Sequence, residues 1–202
     1  MRDPLPPEFY LNPTVQVARD LIGSLLARRL PDGRLLSGTI VETEAYVTGD
    51  PASHAFGGRT PRNAAMWGPP GSAYVYLSYG MHQMLNIVCG PEGVGEAVLI
   101  RALEPVEGIE AMRAARGGIE SRFALTNGPG KLAQALLITR AELNGVDVTR
   151  AGGDIALYPR RTQPDISAGA RIGITKGTEF PYRFFVAGNP YVSKGRPSVA
   201  VS

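Results

Sequence analysis

The sequence predicts an α+β fold, and three observations carry that reading. Strand-like segments follow one another without a helix regularly placed between them, which argues against a doubly wound parallel sheet. Residues 73–88 are strand-like on both sides of Tyr79-Gly80, the pattern of a β-hairpin. The chain holds 25 glycines and 17 prolines, 42 of its 202 residues, about a fifth where about an eighth is usual. With no collagen-like period, that much punctuation predicts short elements joined by shaped, stiff loops.

The elements follow in order. Residues 1–13 are Pro-rich and read as an irregular N-terminal segment. Thr14 is placed to cap a helix to about Leu30, because Val15, Ala18, Leu21, Ile22, Leu25 and Leu26 fall at helical spacing. Pro31-Asp32-Gly33 is a turn, and residues 35–47 read as one or two strands. Residues 48–72 are a loop rich in Gly and Pro, and a loop that long inside one domain is usually functional. After the hairpin come a buried strand over 96–103, a helix over 107–116, a second helix from Lys131 to about Thr139, and a last strand over 182–187.

A chain of this length buries roughly 70% of its unfolded surface and needs no staple, so residues 1–202 are expected to form a single domain. Hydrophobic residues at 44% and charged residues at 19% describe a globular chain. The lone cysteine, Cys89, excludes a disulfide framework, a cysteine-type zinc site and an iron–sulfur cluster, and reads as a buried thiol. His54 and His82 lack metal-ligand spacing, so neither a metal nor another cofactor is expected. No apolar run reaches membrane-spanning length, and Met1–Pro7 does not read as a signal peptide; a soluble, intracellular protein with no membrane contact is expected.

The net charge of +3 conceals an asymmetry. Residues 1–110 carry 8 basic and 12 acidic side chains, a net −4; residues 111–202 carry 13 and 6, a net +7. The basic residues are 18 Arg and 3 Lys, and arginine favours bidentate phosphate contacts. The basic half reads either as a surface for a polyanion or as a solvated face.

Four segments stand out. In Ile40-Val41-Glu42-Thr43-Glu44-Ala45-Tyr46, strand alternation puts Glu42, Glu44 and Tyr46 on one face and Val41, Thr43 and Ala45 on the other. Buried, such a carboxylate can be tuned into a general base; on an edge strand it is merely solvated. Arg101 interrupts the apolar run 98–103. It either pairs with a glutamate of the 40–46 strand, catalytically or structurally, or snorkels to the surface. Tyr79 precedes Gly80 at a hairpin tip, as an intercalating wedge, an interface anchor or a ring folded back on the protein. Asn127-Gly128-Pro129-Gly130-Lys131 leads into a helix, either to hold phosphate or as an ordinary cap. It is not a Walker A motif, since Leu125 and Leu132 stand where Gly and Ser/Thr would be needed.

Together these segments resemble a known family. Glu42-Thr43-Glu44-Ala45-Tyr46, Arg59-Thr60-Pro61-Arg62-Asn63, Tyr74-Val75-Tyr76 with Tyr79-Gly80-Met81, Leu85-Asn86-Ile87, Arg101-Ala102-Leu103-Glu104-Pro105 and Gly128-Pro129-Gly130-Lys131-Leu132 occur in the order seen in alkyladenine (3-methyladenine, methylpurine) DNA glycosylases. The resemblance covers about residues 12–194. It implies a mixed fold around a curled, mainly antiparallel sheet with surrounding helices and a protruding hairpin. It implies base-excision repair, in which an alkylated or deaminated purine is flipped from duplex DNA and its N-glycosidic bond is hydrolysed to leave an abasic site.

In that resemblance Glu44 is similar to the general base, Arg101 to a residue that holds the attacking water, and the Ile172 carbonyl to a further water ligand. Tyr46, His54 and Tyr76 resemble the side chains around the flipped base. Asn86 resembles the group that obstructs guanine at its 2-amino group, and Tyr79 the wedge. Arg59, Arg62 and Lys131 are expected on phosphates. No lysine matches a nucleophile position, so neither a Schiff base nor strand cleavage is implied. His82 stands where some relatives have an aromatic residue, and the 46–54 loop varies in length; both bear on which lesions fit.

The expected partner is damaged duplex DNA, met by a monomer in the cytoplasm at a bacterial nucleoid or in a nucleus. Alternatives are a non-catalytic lesion-binding protein of the same fold and a hydrolase of free nucleosides. If the basic half meets phosphates, duplex affinity should fall by roughly tenfold or more between about 50 and 200 mM salt. A salt-independent affinity in an anisotropy titration would remove that surface from consideration.

Overall fold

Strand β2 (Leu35–Tyr46) organises the architecture. In this computed structural model, which describes residues 3–195, β2 is hydrogen-bonded antiparallel to β5 (Glu96–Glu107) along nearly its whole length. Its other edge is divided. The N-terminal half pairs with β1 (Leu25–Arg29), and the C-terminal half pairs with β8 (Arg183–Val186) at Glu42, Thr43 and Glu44. Beyond β5 lie β4 (His82–Cys89) and β3 (Ala73–Ser78); beyond β1 lies β6 (Ile155–Tyr158); β7 (Ile166–Gly169) pairs with β8. Every one of these strand pairings is antiparallel.

The register of β2 against β5 slips beside Val41, which pairs with no β5 residue although Ile40 and Glu42 do. A bulge of this kind bends its strand and adds twist. The eight-stranded sheet is strongly curled into a half-barrel, as the family resemblance implied, and the fold is α+β. The bulge also corrects the simple alternation expected for residues 41–45. Thr43 donates to the Ala18 carbonyl and Ala45 joins the main core, whereas Val41 packs with Ala102 and Tyr191 in a separate cluster.

Five short α-helices flank the sheet among the described residues: α1 (Pro7–Tyr10), α2 (Thr14–Asp20), α3 (Ile109–Ala115), α4 (Pro129–Ala135) and α5 (Arg140–Leu143). The main core joins Tyr10, Val17 and Leu21 to Leu26, Ile40, Ile87, Ile100 and Leu132. None of these helices is long and apolar enough to cross a membrane.

Several elements differ from expectation. The helix expected to reach Leu30 ends at Asp20, because Leu25–Arg29 forms main-chain bonds with both β2 and β6, and tertiary pairing overrides a local helical pattern. The segment 1–13 is not wholly irregular: Pro7 occupies the first turn of α1, and the buried Tyr10 ring fixes that turn to the core. Strand β5 runs on to Glu107, so the helix expected over 107–116 begins at Ile109. Loop 48–72 contains one 3₁₀ turn, Ala64–Trp67. Residues 1–2 and 196–202 of the expected 1–202 domain lie outside the described residues.

The hairpin joins β3 and β4 as expected. Met81 N–H donates to the Ser78 carbonyl at 3.1 Å across a turn whose two central residues, Tyr79 (φ 49°) and Gly80 (φ 71°), both lie in the left-handed region. Such a turn matches the twist of the flanking strands. Glycine adopts that conformation freely, whereas for tyrosine it costs about 1–2 kcal/mol. The Tyr79 side chain is 91% exposed and does not fold back on the protein.

Candidate active site

Sheet register collects the site. One cross-strand row runs Tyr74, Asn86, Leu99, Glu44, Arg183 over β3, β4, β5, β2 and β8. Directly opposed residues share a face, as do residues two apart along a strand. Tyr76, Arg101 and Tyr46 therefore flank the row on the same face. A cleft of about 500 Å³ beside this row is lined by Tyr46, His54, Tyr76, Asn86, Arg101 and Ile172, among others.

Glu44 is fully buried at the edge of this cleft. Its Oε1 accepts from the Ile172 backbone N–H at 2.7 Å. Its Oε2 accepts from the Tyr46 hydroxyl at 2.8 Å and lies 3.2 Å from Arg101 Nη1. Burial pushes the carboxyl above its ordinary range, against the opposing pull of Arg101, the Ile172 N–H and the Tyr46 hydroxyl. Arg101 is itself buried, which disfavours its charge, but Glu44 and Glu42 raise its pKa on balance. The solvated reading of the two glutamates and the snorkelling reading of Arg101 are thus overturned: both acids are buried, and Arg101 pairs with both.

Glu42 is also fully buried. Its Oε1 lies 3.4 Å from Arg101 Nε and 2.9 Å from the Arg183 guanidinium. It further accepts from the Ser193 N–H at 2.8 Å and the Ser193 hydroxyl at 3.0 Å. Glu42 thus ties Arg101, Arg183 and the chain around Ser193 together.

The aromatic wall is a contact cluster. The rings of His54 and Tyr76 have centroids 4.4 Å apart, those of Tyr74 and Tyr76 5.5 Å. His54 Nδ1 lies 3.0 Å from the Tyr74 hydroxyl. Burial raises the phenols of Tyr74 and Tyr76 to about 12 and that of Tyr46 well above its ordinary value, so all three remain neutral donors near pH 7. Asn86 is buried, and its side-chain amide donates to the Tyr74 carbonyl at 3.2 Å.

The phosphate candidates are dispersed. Arg62 lines the cleft and donates to the Leu77 carbonyl at 3.3 Å, and Arg59 is exposed on the same loop. Lys131 is bound to Asn127 Oδ1 at 2.8 Å, and burial with the neighbouring charges of Arg116 and Lys194 lowers its pKa. The Cys89 thiol is buried, which pushes its pKa up.

The family model described as methylpurine-DNA glycosylase (MPG) matches residues 8–190. The chain belongs to the methylpurine-DNA glycosylase family. Among its relatives, one from Carboxydothermus hydrogenoformans is 51% identical over 94% of this chain and 98% of its own length. One from Rhodopseudomonas palustris is 51% identical over 94% and 87%, and one from Methanoculleus marisnigri is 48% identical over 94% and 98%. Each carries the provisional name of 3-methyladenine DNA glycosylase.

Two partnerships in this methylpurine-DNA glycosylase chain escaped the sequence reading. Arg183 reaches Glu42 because β8 pairs with β2, and Arg171 forms a fully buried ion pair with Asp50, 121 residues away. The one available signal for Arg171 was its adjacency to Ile172; neither residue belongs to a periodic pattern.

Partial burial and the Arg62 guanidinium hold the His54 imidazole below its ordinary value. With its folded value depressed, His54 contributes stability that is present above the unfolded value of about 6.5 and lost as pH falls through the folded one. The chain has two histidines, so an imidazole NMR titration is readily assigned. The His54 midpoint should lie below about 6.5, the value of an unperturbed imidazole; a midpoint above it would show that His54 is not held neutral by its surroundings.

Proposed function

We propose that this chain is a monofunctional DNA repair glycosylase that releases alkylated and deaminated purines from duplex DNA by a water activated at Glu44. The observation that carries this reading is Glu44 itself: a wholly buried carboxylate, raised by burial and held by three donors, from Tyr46, Arg101 and Ile172, residues that all line an aromatic cleft. A general base that works near neutral pH needs that kind of tuning.

In the proposed reaction the water oxygen bonds to the sugar C1′ as the bond from C1′ to the purine nitrogen breaks. The bonding pair leaves with the base, and Glu44 takes the water proton. The glutamate charge also stabilises the oxocarbenium-like sugar. Arg101 and the Ile172 carbonyl would hold the water. A cationic purine such as 3-methyladenine leaves as a neutral molecule and gains about 0.5–2 kcal/mol from the electron-rich rings of Tyr46 and Tyr76. A neutral purine such as hypoxanthine needs a hydrogen bond in the cleft, and His54, among its lining residues, is our candidate to supply it. Asn86 would obstruct the 2-amino group of guanine.

Tyr79, exposed at its tip, fills the stack left by the extruded base and offsets part of the few kcal/mol spent on unstacking. Arg59, Arg62, Lys131 and the basic half of the chain would contact phosphates. The protein acts inside the cell as a monomer on damaged duplex DNA. Lys176 also lines the cleft; under this reading it forms no Schiff base, and the strand stays intact at the abasic site until it is treated with alkali.

Glu44→Gln should slow single-turnover release from a duplex bearing 3-methyladenine or hypoxanthine by roughly 10²–10⁴-fold, the usual contribution of a general base. Release at the wild-type rate would remove Glu44 from the chemistry. Tyr79→Ala should weaken capture of a lesion duplex more than it slows release at saturating enzyme. The reverse split, with binding intact and release impaired, would refute the wedge.

A further inference from the structure

Arg171 is among the largest fully buried side chains of the described structure, and the reaction above makes no use of it. Its guanidinium joins four parts of the chain. Nη1 donates to the Ala45 carbonyl at 3.0 Å, at the end of β2, and Nη2 to the Gly177 carbonyl at 3.0 Å. Both nitrogens grip the Asp50 carboxylate, Nη2 at 2.9 Å from Oδ1 and Nη1 on Oδ2. The guanidinium Cζ lies over the Tyr46 ring, 4.8 Å from the centroid, and over the Tyr182 ring at 5.6 Å. One face of Tyr46 is therefore occupied by a protein cation.

A buried ion pair contributes little net stability once desolvation is counted; what a planar, bidentate pair supplies is geometry. Here that geometry borders Glu44 on both sides. Ile172, next in sequence, carries the N–H that donates to Glu44 Oε1, and Tyr46 carries the hydroxyl that donates to Oε2. A shift of about 1 Å carries a hydrogen bond out of range.

We propose that Arg171, locked to Asp50, is a positioning residue for Glu44: it fixes the backbone at 171–172 so that the Ile172 N–H stays on Oε1, and it holds Tyr46 from behind so that the hydroxyl stays on Oε2. The proposal rests on Glu44 being the general base. Gly177 is part of the device. Its φ is +60°, and a Cβ there would stand 2.7 Å from Asp50 Oδ1 and 3.0 Å from Arg171 Nη2.

The charged and titratable groups around Glu44 are Glu42 and Tyr46 on β2, Arg101 on β5, Arg183 on β8, Tyr76 on β3, and Arg171. Releasing the 171–172 backbone removes a donor that favours the ionised carboxylate while leaving the ionic neighbours in place. The carboxyl then titrates higher, and the acidic limb of the rate profile moves to higher pH.

The test uses Arg171→Lys, which keeps the charge without the fork, and Gly177→Ala, which crowds the pair without removing it. For each, the thermal midpoint, the affinity for a duplex carrying an abasic-site analogue, and the single-turnover release rate against pH are measured. Affinity should stay within about threefold, release at pH 7 should fall roughly ten- to a hundredfold, and the acidic limb should rise by about half a pH unit or more. A lowered midpoint with wild-type rate and limb would make the pair structural only and overturn the proposal, as would failure of both variants to fold. If wild-type protein releases no base, the glycosylase reading itself fails, and this inference with it. If wild type is active and the variants match it, only this inference fails.

Discussion

Two carboxylates, Glu42 and Glu44, lie wholly buried on one strand in the middle of the sheet, and the architecture around them is what makes that arrangement stable. An unpaired buried carboxylate is costly, and a second beside it raises the cost. Arg101 bridges the pair from β5, Arg183 answers Glu42 from β8, and backbone N–H groups of Ser193 and Ile172 complete the two hydrogen-bond sets. These partners come from opposite edges of β2. The forked pairing, with β1 beside its first half and β8 beside its second, brings the second arginine within reach.

The two acids have been given different surroundings. Glu42 is paired with Arg101 and Arg183 and accepts twice from Ser193. Glu44 is raised by its burial and sits directly behind Tyr46, Arg101 and Ile172, which line the cleft. The bulge at Val41 contributes by bending the sheet, and the row from Tyr74 through Asn86 and Leu99 to Glu44 crosses that bend. The β3–β4 hairpin that supplies Tyr76 and Asn86 to the cleft projects Tyr79 at its tip. One strand pair thus supplies both the wall of the pocket and the exposed ring.

Local chemistry wrote some of this plainly. The hairpin is legible because strand-like residues flank a turn pair, and the shared face of Glu42, Glu44 and Tyr46 follows from a period of two. The helix expected past Asp20 was misread for an equally physical reason. Leu25 and Leu26 satisfy helical spacing, but the two flanking strands that bond residues 25–29 come from positions 35–39 and 155–158, which no local window contains. Val41 was placed with Thr43 and Ala45 because a bulge leaves no mark in an alternating sequence.

By itself the sequence determined the α+β class, the hairpin with Tyr79 at its tip, the shared face of the paired acids, and through its ordered motifs the family. These are short-range features: a period, a turn pair, a motif. Only the tertiary structure decided that both acids are buried, that Arg101 serves both, that Arg183 and Ser193 complete Glu42, and that Arg171 closes on Asp50 behind Tyr46. The physical reason is that burial and ion pairing depend on which distant segments the sheet register brings opposite one another. That register is set by the fork and bulge of β2, not by the neighbours of any one residue.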